Sequence, residues 1–234
     1  VKFDILGLRT LSVINDVCQQ LKIKIDEIDP HDKSIYDSLV CLESPQGLFQ
    51  IEAEINFKVC QLIKPQNLEQ LSAVIAIGRP GALDFKDYYA AYVRTGESQS
   101  VHDFFDDILS YTGGIPLYQE QLMKMAVKVG FSLDEAEQLR RIIGKKKVDQ
   151  MPVWKVKIEE KIRENALDPK IGEVLWKVAE DSANYSFNKS HSISYAYLSA
   201  ITVYLKFNHP KEFFLSLLKY TKFEPNSHEE IAKI

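Results

Sequence analysis

Cysteine is scarce in this chain, with three in 234 residues. Cys18, Cys41 and Cys60 stand at wide, unrelated spacings in apolar contexts, with none of the Cys-x-x-Cys pairs that a zinc site uses. They read as reduced core thiols of a cytoplasmic protein. Long apolar runs are missing too. The longest, Ile193 to Phe207, is interrupted by Ser194, Ser199, Thr202 and several tyrosines, and falls short of the ~20 apolar residues of a membrane span. No signal peptide opens the chain, and no internal repeat or low-complexity tract interrupts it. A Gly-rich loop ending in Lys-Ser or Lys-Thr is also absent, which argues against a nucleotide hydrolase of the P-loop type. Positive charge is not in excess either. A net charge of −4 argues against a protein that coats nucleic acid nonspecifically, a task that usually gives a basic chain.

What is present is ordinary for a globular protein: 45% hydrophobic and 26% charged residues, enough for one large domain or two small ones. The chain opens at Val1 on residues that already read as a strand, so a longer parent polypeptide is expected. The charge is unevenly placed. Between Arg140 and Arg163 nine basic residues face three acidic ones, so a phosphate-facing surface can sit inside an acidic chain.

Val1–Leu6 alternates apolar residues with Lys2 and Asp4, the period of a strand with one polar face, and Gly7 breaks it. From Leu8 to Leu21 the apolar residues recur at three- and four-residue steps, as in an amphipathic helix. Helical patterns follow at Lys33–Leu42, 52–63 and 67–77, the last stopped by the breaker cluster Gly78-Arg79-Pro80-Gly81. Asp84–Arg94, Val101–Leu109 and Leu117–Val129 read as helices, with a loop at Tyr111-Thr112-Gly113-Gly114. Ser132 and Glu135 have capping-box spacing and predict a helix running to Ile143. Further helices are expected at Val153–Asn165, Lys170–Asp181 and Lys189–Asn208, the last before Pro210. The fold class is mainly α with a short N-terminal β element.

Three segments invite a chemical reading. Asp4 stands just ahead of a glycine turn, where a carboxylate can point into a cleft; taken alone, it reads first as a solvated strand residue. Arg140 and Arg141 end the capped helix, and Lys145, Lys146 and Lys147 follow the glycine that stops it. The helix macrodipole alone accounts for cations in the last turn. It does not call for five of them within eight residues, where mutual repulsion opposes folding unless an anion or solvent screens it. A guanidinium that binds phosphate bidentately, with lysines beside it, suits a triphosphate. Phe187-Asn188-Lys189-Ser190-His191-Ser192 gathers a cation, an imidazole, an amide and hydroxyls at a helix start. Asn188 or Ser190 suits the N-cap, and helix N-termini attract anions. Tyr195 falls on the face of His191, four residues on.

Read together, these segments resemble the C-family DNA polymerases, the bacterial polymerase III alpha subunits, along nearly the whole chain. The resemblance is carried by residues 1–10, Leu48-Phe49-Gln50-Ile51-Glu52, Arg79-Pro80-Gly81, Leu117-Tyr118-Gln119-Glu120-Gln121, Leu139-Arg140-Arg141 with Gly144-Lys145-Lys146-Lys147, and Phe187–Ser192, in that order. It implies a C-terminal piece of a palm at 1–25 and a multi-helical fingers domain at 26–234. It also implies a part in DNA replication as a fragment of a DNA-directed DNA polymerase, a nucleotidyltransferase.

By the same resemblance Asp4 is the third of three catalytic aspartates holding two Mg2+ ions, the other two lying upstream of Val1, so the fragment is expected to be inactive alone. Lys2, on the same strand face, lies near the triphosphate. Arg140 and Arg141 bind the incoming deoxynucleoside triphosphate, with Arg79, Lys145, Asn188, Lys189 and His191 about the same pocket. Primer-template DNA is an expected partner, and a sliding clamp and a proofreading exonuclease are expected through other regions of the parent; no membrane is expected. Two departures from the family pattern stand out: Ala82 replaces a proline after Arg79-Pro80-Gly81, and Asn184 and Ser186 replace glycines before Phe187. The alternative reading is a non-catalytic helical module that binds nucleic acid or a protein through its basic stretch.

Overall fold

The computed structural model describes residues 7–145, 149–222, 226–232 and 234. The predicted β element at Val1–Leu6, with Lys2 and Asp4, lies outside the described residues, as do Lys146 and Lys147. Among the described residues the secondary structure is helical, joined by loops, with a single isolated β-bridge between Tyr118 and Phe187. The helices are α1 (Arg9–Leu21), α2 (Lys33–Val40), α3 (Glu54–Ile63), α4 (Leu68–Ile77), α5 (Lys86–Thr95), α6 (Asp106–Leu109) and α7 (Gln119–Val129). They continue as α8 (Leu133–Gly144), α9 (Met151–Glu164), α10 (Pro169–Tyr185), α11 (Lys189–Asn208), α12 (Pro210–Thr221) and α13 (Ser227–Ile231).

Two compact units divide the chain, one made of 1–71 with 193–234 and the other of 72–192. The first takes its core from the apolar stripe of α1 (Val13, Ile14, Val17, Cys18) packed against Ile201, Leu205, Phe213 and Leu217. All three cysteines belong to this unit; Cys18 and Cys60 are buried, but Cys41, expected in the core, is exposed just past the end of α2. The second unit packs α7, α8, α9 and α10 around Leu122, Met125, Leu139, Ile143, Trp154, Ile158 and Leu175.

Local chemistry explains where these helices begin. The Ser132 hydroxyl accepts from the Glu135 amide at 3.2 Å while the Glu135 carboxylate accepts from the Ser132 amide at 2.8 Å. This reciprocal pair satisfies two amides that a helix start leaves bare. Asp168 caps α10 by accepting from the Lys170 amide at 2.9 Å, with Pro169 at the first helical position. Proline does the same at Pro210, where sequence reading stops the helical series and the chain instead starts α12. A proline lacks only an N–H that the first turn leaves unpaired anyway, so it ends one helix and begins the next. Over 101–109 the expected single helix is broken into a 3₁₀ turn at Asp103–Phe105 and the short α6, because His102 Nδ1 takes the Phe104 amide at 3.2 Å and restarts the chain there.

Two glycines are fixed by close approach. A Cβ on Gly114, where φ is +90°, would fall 1.9 Å from the Gln99 carbonyl oxygen. One on Gly81 would fall 2.1 Å from the Asn184 carbonyl oxygen, so the Arg79-Pro80-Gly81 loop lies directly on the end of α10. Ala82 next in line donates its amide to the Arg79 carbonyl at 3.0 Å, a bond that a proline there would forfeit. Ser186 has φ −64° and ψ 137°, ordinary for any L-residue, so this chain needs no glycine at that point.

Candidate nucleotide-phosphate site

The site lies within the 72–192 unit and is assembled by a short zipper. The Phe187 amide donates to the Leu117 carbonyl at 3.0 Å and the Gln119 amide to the Phe187 carbonyl at 2.9 Å, which sets the start of α7 beside the start of α11. Beneath it the buried hydroxyls of Tyr118 and Ser192 both meet Ser72, at 3.1 and 2.7 Å. Gln121, fully buried, accepts from the Tyr118 amide at 2.8 Å and donates to Ile108 and Thr112. Buried polar groups satisfied in this way hold one backbone arrangement.

Arg140 reaches this junction from α8. Its Nε and Nη2 donate to the two oxygens of Glu137, both at 2.7 Å, and its Nη1 donates to Gln119 Oε1 at 3.1 Å. Arg141 Nε donates to the same Glu137 at 2.8 Å. Spacings of three and four residues put all three side chains on one helical face. The Arg140 hydrogen bond, reinforced by that of Arg141 against the cost of partial burial, pulls the Glu137 carboxyl down to about 2. Arg140 is held at 26% exposure whereas Arg141 is at 65%, so the two adjacent arginines differ in environment. Arg140 also borders a small cleft of about 120 Å³ with Gln119, Gly144, Ser182 and Ser186, far below the ~300 Å³ at which whole-ligand pockets begin. It has the scale of a phosphate group rather than of a nucleotide.

The α11 start supplies the rest. Asn188 is its N-cap, the side-chain oxygen accepting from the His191 amide at 2.8 Å. Asn188 Nδ2 and the Lys189 amide donate to the Glu120 carboxylate, each at 2.9 Å. The anion expected at this helix N-terminus is therefore provided from within the chain, by a residue of α7. Lys189 Nζ lies 4.5 Å from the Tyr111 ring centroid and 5.6 Å from that of Tyr118. The Arg79 guanidinium stacks on Phe187 at 3.8 Å, and the His191 ring meets Phe187 edge-on at 5.5 Å.

Of the residues singled out from sequence, Arg79, Arg140, Asn188, Lys189 and His191 are thus linked through Phe187, Gln119 and Glu120. Arg141 joins them only through Glu137. Lys145 stands exposed at the C-cap of α8, outside these contacts. Lys2 and Asp4 lie outside the described residues, and with Asp4 goes the Mg2+ expectation. Among the described residues no group of three or more His, Cys, Asp or Glu is placed to hold a metal, and no helix is long and apolar enough to cross a membrane. Sequence reading does not single out Glu137, and Gln119, Glu120 and Phe187 stand in the family motifs without a site role. Glu137 had a visible signal in its helical spacing to the two arginines; the other three acquire their roles only from the zipper. A cavity in the other unit, about 390 Å³ beside Arg9, Thr10, Gln50 and Glu52, gathers no comparable set.

Comparison with known proteins identifies the family to which the chain is similar. The sequence profile of the bacterial DNA polymerase III alpha subunit finger domain matches residues 10–166. The chain is 35% identical over 220 residues to the DNA polymerase III subunit alpha of Thermotoga maritima, covering 94% of this chain and 25% of that protein. It is 34% identical over 221 residues to that of Caulobacter vibrioides, covering 92% and 19%. With that of Thermus aquaticus it shares 31% over 249 residues, covering 100% and 20%. The chain therefore spans a fifth to a quarter of the length of these relatives. Its helical architecture and its sequence together make it a member of the bacterial DNA polymerase III alpha subunit finger-domain family.

Proposed function

We propose that this chain is the end of a palm (1–25) and the helical fingers (26–234) of a cytoplasmic, DNA-directed DNA polymerase, and that it grips the triphosphate of the incoming deoxynucleotide. In this reading Arg140 and Arg141 take the phosphates, with Arg79, Lys145, Asn188, Lys189 and His191 around them, and the family resemblance assigns Lys2 to the same triphosphate. Nucleotidyl transfer requires the leaving pyrophosphate to be neutralised and held in line with the attacking primer hydroxyl, which is work for fixed guanidinium and ammonium groups. Mg2+ when bound supplies charge neutralisation at the reacting phosphate. In this chain Asp4 would hold it, the other carboxylates coming from palm residues ahead of Val1, so the segment alone does not polymerise. Primer-template DNA lies alongside, and a sliding clamp and proofreading exonuclease engage other parts of the parent.

The observation that carries the reading is Arg140. It is half-buried, oriented by two partners and set at a phosphate-sized cleft beside the α11 start. The test is triphosphate binding with Mg2+, by calorimetry, to the chain joined to its palm, comparing Arg140→Ala/Arg141→Ala with the parent. Loss of binding in the double variant is the expected result. Unchanged binding would leave the basic segment as a general docking face and favour the non-catalytic module.

A further inference from the structure

Resting on that reading of Arg140, we infer that Glu137 is a positioning residue for the incoming nucleotide: together with Gln119 it holds the Arg140 guanidinium so that one edge is presented to phosphate. A guanidinium has five N–H groups, one on Nε and two on each terminal nitrogen. Glu137 takes the Nε hydrogen and one on Nη2, and Gln119 takes one on Nη1. One hydrogen remains on each terminal nitrogen, so both can still donate to phosphate oxygens. The carboxylate thus occupies the side of the fork and not both of its edges.

Two further features bear this out. Glu137 also receives Arg141 at 2.8 Å, so one carboxylate orients both arginines from a single helical turn. Displacing it would break three charge-assisted bonds of 2.7–2.8 Å, which makes it a poor candidate for a plug that the substrate pushes aside. Holding the fork before substrate arrives removes rotamer freedom that binding would otherwise have to freeze.

The sign of the effect is diagnostic. Glu137→Gln removes a negative charge next to the site, so simple electrostatics would tighten triphosphate binding; loss of positioning would weaken it. The experiment measures dATP and dAMP binding with Mg2+ in the full polymerase chain carrying this segment, for the parent, Glu137→Gln, Glu137→Asp and Arg140→Ala/Arg141→Ala. Expected are an approximately tenfold loss of dATP affinity in Glu137→Gln, about the worth of one charge-assisted bond, with dAMP affinity nearly unchanged. Glu137→Asp, which keeps the charge but shortens the reach, falls between. Partial unfolding would lower both ligands alike and leave their ratio fixed, a result that contradicts positioning. Should Glu137→Gln fail to fold, the ratio in Glu137→Asp decides in the same way. Equal or tighter dATP binding in Glu137→Gln, with binding lost in the double arginine variant, overturns the inference and leaves the nucleotide reading standing. Unchanged dATP binding in the double arginine variant overturns both.

Discussion

Arg140 and Arg141 on α8 and Lys155, Lys157, Lys161 and Arg163 on α9 carry the same charge but are held differently. On α8 one carboxylate, Glu137, binds both arginines, and Gln119 from another helix fixes the third nitrogen of Arg140 at the cleft. On α9 the cations answer mainly to their own helix. Lys161 pairs with Glu164 at 2.9 Å, Lys157 lies over Trp154 at 4.5 Å, and Arg163 reaches the Glu159 carbonyl at 3.4 Å. Lys157 and Lys161 are half-buried and also feel Glu135 of α8, but among the described residues neither has a hydrogen-bond partner on another helix comparable to Gln119, and contacts between neighbours on one helix contribute little. A run of like charge is therefore two things here: an arginine pair on one carboxylate, with Arg140 tied to a second helix, and a helix face whose cations answer mainly to their own helix.

If this contrast is right, the α9 cations matter for what lies under them and not for what they attract. The largest effect expected on that helix comes from Trp154→Ala. Trp154 is buried against Phe131, their centroids 5.8 Å apart, and its loss should cost about 3–5 kcal/mol in denaturant unfolding. Triphosphate affinity of the folded fraction should be retained.

A smaller effect belongs to the α8 triad. Glu137 stays ionised in the folded chain down to about 2, against an ordinary 4.5. The stability this adds is complete above about pH 4.5 and is lost as pH falls toward 2. After allowance for solvent screening it amounts to about 1 kcal/mol. Stability measured between pH 5 and 2 should fall less steeply in Glu137→Gln than in the parent. The smallest effect is expected from Lys161→Ala, an unfolding midpoint indistinguishable from the parent's, because its partner Glu164 is itself largely exposed; a resolved shift would mean that α9 is tied into a network after all.

Much of the fold was legible. Periodicity located α1, α7 and α8, and the Ser132 capping box and the Lys189 start were readable because they depend on residues within one turn. The helix α12 was lost by taking Pro210 only as a breaker, when the same missing N–H suits a first helical position. The Cys41 environment escaped because α2 ends just before it, and apolar neighbours in sequence say nothing about which side of a helix end is covered. At the site, residue types and helical spacing pointed to Arg140, Arg141, Asn188 and Lys189. What they did not convey is that Glu120 fills the α11 N-terminus and that Phe187 carries Arg79. Both depend on the Tyr118–Phe187 bridge between segments 69 residues apart, a register that no local pattern encodes.

The most direct test of the account compares two charge-matched variants, Arg140→Ala/Arg141→Ala and Lys157→Ala/Lys161→Ala, by triphosphate affinity with Mg2+ in the palm-completed chain. Each removes two positive charges from the same basic stretch. An oriented phosphate site predicts roughly 100-fold weaker binding in the first, from two or more charge-assisted bonds, and a change of no more than about twofold in the second, as for solvated surface charge. Equal losses in the two would contradict it, because the basic stretch would then be acting through its summed charge and not through the geometry of α8.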